Sequence, residues 1–413
     1  MTDEMKVYAF SFTDIKGGAA IAAKRIHTSI RKRGVDSQMF VYRKFSNDET
    51  ITGPTNKILA LYRILRQKLG QAIGFFFKKN ANVFNSLSIL PSNWAGFINR
   101  SDADIVNLHW INLDFICIED IAAISKPLVW TLHDMWAFCG AEHLAWKDNG
   151  YVTGYVEEGT KFNSLNRWVW KRKKRVWQKP IHIIAPSSWL ADCVKKSALM
   201  SNWPVSVIPN PIDTKQWLLL DKIDERRKKG ISKNEKLLMF STSENLFSYH
   251  KGFDLLLEAL SIVAKEISFK VLIIGSEMPK KPIVVPYEII YMGYVKDTAE
   301  MNQYISIVDL VVIPSRQESL SFVAIEAITC GRPVVAFDNS GITDVINHMY
   351  NGYMAKAFDI NDMANGISMI LKNEQLAVNM GANGRKYSEL NFDCDVIAKK
   401  YIDLYRKVIE INK

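Results

Sequence analysis

The sequence predicts an α/β fold built from two doubly wound domains, and three observations carry that expectation. Twelve short apolar runs recur along the chain, and helical patterns separate most of them. These runs fall into two series of six, parted at Pro209-Asn210-Pro211. Two prolines flanking an asparagine continue neither a helix nor a central strand, so a hinge is expected there, followed by a polar segment through Asn234. A length of 413 residues is enough for two domains with buried cores.

In the first series the strands are expected at Lys6 to Ser11, Gln38 to Arg43, Ile105 to His109, Leu128 to Leu132, Ile181 to Ala185 and Val205 to Ile208. The second series places them at Lys236 to Ser241, Phe269 to Gly275, Tyr287 to Met292, Val308 to Ile313, Pro333 to Phe337 and Gly352 to Ala355. Strands that alternate with helices imply parallel sheets covered on both faces. The expected division is therefore 1–209, 210–392 and a final helix in 393–413. That helix carries an apolar stripe at Val396, Ile397, Tyr401, Leu404 and Ile409 and is long enough to return to the first domain. Doubly wound sheets bind ligands outside the C-terminal ends of their strands, so two such domains facing each other across a cleft would set their ligand sites toward that cleft.

Composition narrows the function classes. Hydrophobic residues make up 48% and charged residues 23%, as in ordinary globular proteins. No apolar stretch reaches the roughly 18 residues of a membrane span, and the N-terminus enters a strand with no signal-peptide core, so a cytoplasmic protein is expected. Cys117, Cys139, Cys193, Cys330 and Cys394 are scattered without CxxC pairing, which points to neither a disulfide framework nor a zinc site. Two DxD triplets, Asp102-Ala103-Asp104 and Asp393-Cys394-Asp395, sit before a strand and at a helix start. Turn and capping roles explain both, and no metal is expected. A net charge of +10 asks for an acidic partner: nucleic acid, anionic lipid or a phosphorylated small molecule.

The stretch from Pro314 to Asp344, PSRQESLSFVAIEAITCGRPVVAFDNSGITD, is the richest in chemistry. It reads as a strand-stop, a turn, a helix, a second strand and a glycine loop, a βαβ unit. Glu318 lies in the turn and Glu326 eight positions on, inside the helix. Ser319 and Ser321 are available as caps at a helix N-terminus, where backbone N–H groups suit a phosphate. A carboxylate in the apolar helix FVAIEAI asks for a partner such as a ribose diol. In the first domain Gly17-Gly18 precede a helix and allow close approach of an anion or tight packing of the turn, without the spacing of a nicotinamide fingerprint or a Walker lysine. His133, followed by Asp134, ends the strand PLVWTL where parallel sheets bind ligands; His109 ends the strand before it. Both also fit hydrogen-bonded structural histidines. Lys251 opens the helix KGFDLLLEAL, against the helix dipole unless an anion compensates.

Two basic stretches, 56–79 and 161–179, hold six and eight Lys or Arg with no acid, interleaved with Ile, Leu and Phe or with Trp168, Trp170 and Trp177. Docking on an anionic membrane and packing of amphipathic helices on the first sheet both fit this pattern. No nucleic-acid module accompanies the charge, so nucleic acid is not an expected partner.

The motifs together resemble retaining glycosyltransferases of family 4. ESLSFVAIE is similar to their EX7E motif, GGAAIAAKRIHTSI to the glycine-rich first loop, and TLHDMWAF to the histidine strand of bacterial polysaccharide-assembly members. APSSWLADCVKKS with VIPNPIDT resembles the end of the first domain, and KGFDLLLEAL with CGRPVVAFDNSGITDVI the donor domain. The resemblance implies a GT-B fold of two Rossmann-like domains. It further implies a nucleotide-sugar donor, a glycan or lipid-linked acceptor, and no cofactor or obligatory metal. By the same resemblance Glu326 would hold the ribose, Glu318 the sugar hydroxyls and Lys251 the diphosphate. Ser319, Leu320 and Ser321, with Gly17 and Gly18, would cradle phosphate, and His133 would sit at the reacting centre with His109 and Asp134 toward the acceptor. Where many members carry an arginine six residues before the lysine, this chain has Asn245, and either His250 or Arg316 substitutes or donor binding is weaker. The resemblance also extends to a role in cell-surface polysaccharide assembly, on the inner face of the cytoplasmic membrane. An epimerase or a sugar-nucleotide-binding pseudoenzyme of the same fold is the competing expectation.

Overall fold

The computed structural model describes residues 5–73, 84–145, 149–156, 165–242 and 245–413. Residues 74–79 and 161–164 of the two basic stretches lie outside them. The chain divides into two compact units, residues 1–210 with 397–413, and residues 211–396.

The first unit holds a seven-stranded sheet: β1 (Lys6–Thr13), β2 (Asp36–Arg43), β3 (Ile51–Thr52), β4 (Ile105–Leu108), β5 (Leu128–Thr131), β6 (His182–Ala185) and β7 (Val205–Val207). They lie in the order β3-β2-β1-β4-β5-β6-β7, and every pair is parallel. The second unit holds β8 (Leu237–Ser241), β9 (Lys270–Ile274), β10 (Glu288–Tyr291), β11 (Leu310–Ile313), β12 (Val334–Phe337) and β13 (Gly352–Ala355). Their order is β10-β9-β8-β11-β12-β13, again parallel. Both sheets thus start in the middle, run outward to one edge, and cross over to the other side. The crossovers put a topological switch point between β1 and β4 in one unit and between β8 and β11 in the other.

Near-continuous Val, Ile and Leu runs fit strands buried on both faces. Successive residues go to opposite layers: Trp130 and Ile183 face one core of the first unit, Val129 and Ile184 the other. The second core is closed by the helix Cys394–Ile411, whose Tyr401 and Tyr405 are fully buried beside Val7, Ile26 and Ile105. Tyr405 Oη accepts from Asn107 Nδ2 (2.7 Å), and Asn107 Oδ1 accepts from Thr131 Oγ1 (3.0 Å), so the polar tips are satisfied inside.

The acidic triplets are spent on structure. Asp102 binds Lys6 Nζ (2.5 Å) and Tyr8 Oη (2.9 Å), and Asp104 accepts from Lys6 N (2.7 Å), which pins the start of β1. Asp393 accepts from Thr214 Oγ1 (2.5 Å) and Asp395 N (2.8 Å) at the start of the last helix. The polar segment after Pro211 is more than a connector. Its helix Lys222–Lys228 sends buried Arg226 to Ile307 O (2.7 Å) and Asp309 Oδ2 (3.0 Å), so a sequence that reads as linker is tied to the base of β11.

The two basic stretches part ways. In the helix Leu165–Val176, Leu165, Val169, Trp170 and Lys173 are buried, Arg172 pairs with Glu119 (2.6 Å), and Trp177 donates to Ile118 O (2.8 Å). Two of the three tryptophans of the 161–179 stretch, Trp170 and Trp177, therefore serve core packing, the alternative to membrane docking; Trp168 stays exposed under the Arg172 guanidinium. The helix Lys57–Ile73 buries only Gly70.

Candidate donor and acceptor sites

In the second unit two loops meet at the switch point. After β8 the chain makes a tight turn, Tyr249–Lys251, and enters the helix Phe253–Val263 through Gly252. Gly252 has φ +67°, and a Cβ there would lie 1.9 Å from Pro314 O. Only glycine lets the β8 turn touch the end of β11 this closely. The contact brings Lys251 to Glu318: Nζ donates to Oε1 at 2.9 Å, and Ser315 Oγ donates to the same oxygen at 2.8 Å. Both side chains are about one-fifth exposed or less, 20% and 14%, so the pair is sheltered yet reachable.

A third loop, after β12, backs Glu318 from behind. Glu318 N donates to Ser340 Oγ (2.9 Å) and Gly341 N to Glu318 O (2.8 Å). Gly341 is as crowded as Gly252, since a Cβ would meet Ser319 O at 2.1 Å. Asn339 Nδ2 donates to Arg316 O (2.7 Å), and Ser340 sits at φ +52°, a backbone position a non-glycine residue rarely takes.

Ser321 caps the helix Phe322–Thr329, its hydroxyl accepting from Ala324 N at 3.3 Å. Leu320 is buried and Ser319 half-buried. Glu326 is half-buried, on the helix face it shares with Phe322 one turn earlier, rather than sealed in the apolar core. Its charge, after burial, helps push the neighbouring Cys330 thiol up. Arg316 makes a two-pronged pair with Asp254 (2.8 and 2.6 Å), donates to Tyr249 O (2.7 Å) and lies 4.0 Å over the Tyr249 ring. It clamps the β8 turn to the β11 loop, and its hydrogen bonds hold the Asp254 carboxyl below the usual range. Asn245, where the family arginine is expected, builds a local turn by accepting from Phe247 N (2.9 Å).

In the first unit Gly17 (φ +92°) precedes the helix Gly18–Lys32 with no side-chain cap, just past the end of β1. Nothing lies within 4 Å of a Cβ built there, so positive φ rather than crowding selects the glycine. His109 and His133 follow β4 and β5, and their rings stack, with His109 Nδ1 and His133 Nε2 3.1 Å apart. Burial lowers both pKa values, that of His133 to about 4, and His133 adds to the shift of His109. Both rings are thus neutral near pH 7, and one N–H is shared between them. The buried His109 Nε2 has no hydrogen-bond partner among the described residues.

Asp134 turns away from this pair. It accepts from Trp110 Nε1 (2.7 Å), Trp136 N (2.9 Å) and His143 Nδ1 (2.5 Å), and His143 Nε2 meets Ser86 Oγ at 2.8 Å. Burial alone would raise the Asp134 carboxyl; the His143 charge and hydrogen bond, with the two N–H donors, outweigh it and hold it down. Asp134 therefore fastens the loop after His133. Asp254 and Ser340 escape a sequence reading because their partners Arg316 and Glu318 lie far off in the chain, while nothing in the local pattern marks Ser315 or His143 as a holder.

Comparison with known proteins bears on the family and the fold. A model described as Glycosyltransferase Family 4 matches residues 16–216, and one described as Glycosyl transferases group 1 matches residues 221–387. The N-acetyl-alpha-D-glucosaminyl L-malate synthase of Bacillus anthracis is 26% identical over 51% of this chain and 56% of its own length. The N,N'-diacetylbacillosaminyl-diphospho-undecaprenol alpha-1,3-N-acetylgalactosaminyltransferase of Campylobacter jejuni is 26% identical over 63% of this chain and 69% of that protein. The chain thus spans little more than half the length of the first of these curated relatives. Among solved structures, sucrose-phosphate synthase from Thermosynechococcus elongatus superposes with a TM-score of 0.67 at 17% identity, covering 98% of this chain and 100% of that one. The Anabaena protein HepE in complex with UDP-glucose does so at 0.63 and 16%, covering 98% and 100%. Two abutting family models and one shared architecture from end to end lead to the same place: the chain belongs to the family 4 glycosyltransferases and has their GT-B fold.

Proposed function

We propose that this protein transfers a sugar from a nucleoside-diphosphate donor to a glycan or lipid-linked acceptor, with retention at the anomeric carbon, in cell-surface polysaccharide assembly. The observation that carries the reading is the Lys251–Glu318 pair at the switch point of the second unit. A sheltered ammonium beside a carboxylate suits a ligand that presents a diphosphate next to sugar hydroxyls. The HepE complex supports the donor class, since its title names UDP-glucose. A lipid-linked acceptor draws support from the Campylobacter relative, whose name carries a diphospho-undecaprenol. That acceptor would hold the protein at the inner face of a cytoplasmic membrane.

In this reading Lys251 and the backbone N–H groups entering the helices Phe253–Val263 and Phe322–Thr329 stabilise the charge that grows on the departing diphosphate. No metal is needed for that role, and activity should survive a chelator. Glu318 orients the sugar hydroxyls and Glu326 the ribose. Neither acts as a nucleophile; the acceptor hydroxyl attacks the face that the leaving group vacates. Neutral His133 donates or accepts a hydrogen bond near the acceptor without adding charge.

Glu318→Gln and Lys251→Ala, assayed for transfer from a panel of nucleotide sugars, test the proposal. Each should lower kcat/KM at least tenfold, about 1.4 kcal/mol of transition-state stabilisation. Full transfer by both variants would overturn it, and turnover without transfer would favour an epimerase.

A further inference from the structure

The helix Lys57–Ile73 is turned inside out. Its polar side faces the protein: Arg63 donates to Val41 O and Tyr42 O (3.0 Å each), Arg66 to Asp114 O (3.0 Å) and to the carbonyls of Leu90 and Pro91. Gln67 accepts from Arg43 (2.5 Å), and a Cβ on buried Gly70 would lie 1.8 Å from the Asp114 carboxylate. The apolar side faces out. Ile58 is 81% exposed, Leu61, Tyr62 and Leu65 are 57% each, and Leu69 is 54%. At 100° per residue these five fall within an arc of about 100°, with exposed Lys57 and Lys68 along one margin. Surface helices ordinarily show the reverse pattern, and a contiguous apolar face of this kind marks an interaction surface.

The charge decides between occupants. Residues 56–73 contain no Asp or Glu. A second copy docked across a two-fold axis would set Lys57 and Lys68 against the same lysines with no carboxylate on either helix. An anionic lipid surface accepts both the lysines and the apolar face, and Tyr62 suits the headgroup boundary. The location fits as well. Tyr42 and Arg43 are the last residues of β2, so the helix sits at the end of the sheet where Gly17 and His109 follow β1 and β4.

We propose that the Lys57–Ile73 helix lies in the plane of an anionic bilayer, apolar face inward, and holds the ligand end of the first sheet at the lipid surface. The functional sense of this docking rests on the reading of a lipid-linked acceptor; the docking itself does not require the donor site. Sedimentation of the full chain with phosphatidylcholine vesicles, with and without phosphatidylglycerol, tests it. Binding should need the anionic lipid and weaken with salt. Leu61→Glu/Leu65→Glu should reduce it at least tenfold, while the melting temperature and transfer to a water-soluble acceptor stay unchanged; Leu61→Phe/Leu65→Phe should bind as well as wild type. Equal vesicle binding by the Glu variant, or binding indifferent to anionic lipid, would overturn the proposal. So would a wild-type dimer in light scattering that the Glu variant turns into a monomer, since that assigns the face to a second copy. Absence of transfer to the soluble acceptor by the wild-type chain, with its anionic-vesicle binding intact, would count against the donor-site reading instead.

Discussion

At the scale of single residues, Lys251 and Glu318 neutralise each other across 2.9 Å before any donor arrives. A diphosphate must therefore compete for the ammonium, and the carboxylate is left to the sugar hydroxyls. On the proposed function, without the family arginine at Asn245 and with Arg316 bound to Asp254, Lys251 would carry most of the phosphate recognition. Asp254→Asn should loosen the Arg316 clamp and raise KM for the donor severalfold with a smaller change in kcat, as steady-state kinetics would show. A second residue-scale prediction concerns pH. His27 is sealed between Ser37 Oγ and Thr50 Oγ1, 2.8 Å from each, and burial lowers its pKa from 6.5 to about 4. Between those values an unfolded chain binds a proton that the native chain refuses, so stability is complete above pH 6.5, falls as pH drops toward 4, and levels off below. Urea midpoints should follow that course, and His27→Gln should flatten it by up to about 3 kcal/mol.

At the scale of elements, the glycines that let loops touch are the vulnerable points. Gly252→Ala would drive a Cβ into Pro314 O at a positive φ, and should cost about 2–3 kcal/mol in thermal or urea unfolding while parting Lys251 from Glu318. Lys173, fully buried, donates to Cys139 O (3.0 Å), Gly140 O (2.8 Å) and Trp136 O. Burial lowers its pKa to about 7. Lys173→Met should destabilise the 136–140 turn by about 1–3 kcal/mol in urea unfolding, because three inward carbonyls lose their donor. The elements themselves were largely legible in the sequence. Most strand boundaries fall within two residues of the apolar runs, since buried parallel strands are written as unbroken Val, Ile and Leu. Two-residue β3 has no period to read, and the weakly patterned helix Glu374–Asn391 offers little more. In the site, Glu318 and Lys251 lie in the loops that follow β11 and β8, and His133 just past β5, so their place in the strand-to-helix pattern could be read from the sequence. Their holders Ser340 and Asp254 could not, because a hydrogen bond between residues 22 or 62 positions apart leaves no trace in local pattern. The orientation of Lys57–Ile73 was equally hidden: an amphipathic period says that a helix has two faces, not which one turns outward.

At the scale of the whole molecule, two sheets that share one order over six strands each present a switch point, and one chain end completes the first unit. Ending the chain at residue 396 would strip Tyr401, Tyr405 and Val408 from the core around Val7 and Ile105, exposing side chains worth about 1.5–3 kcal/mol each. Such a truncation should unfold the first unit or make the chain insoluble, which circular dichroism and sedimentation would register. On the proposed function, the second unit would bind the nucleoside diphosphate of the donor through Lys251, with Glu318 turned to the sugar. Calorimetric titration of UDP, GDP and ADP into wild type, Lys251→Ala and Glu318→Gln tests it most directly. One diphosphate should bind wild type with micromolar to millimolar affinity, about −4 to −8 kcal/mol. Lys251→Ala should weaken it at least tenfold, while Glu318→Gln, which faces the sugar, should leave the bare nucleotide nearly unaffected. Undiminished binding to Lys251→Ala, or no binding of any of the three to wild type, would contradict the account.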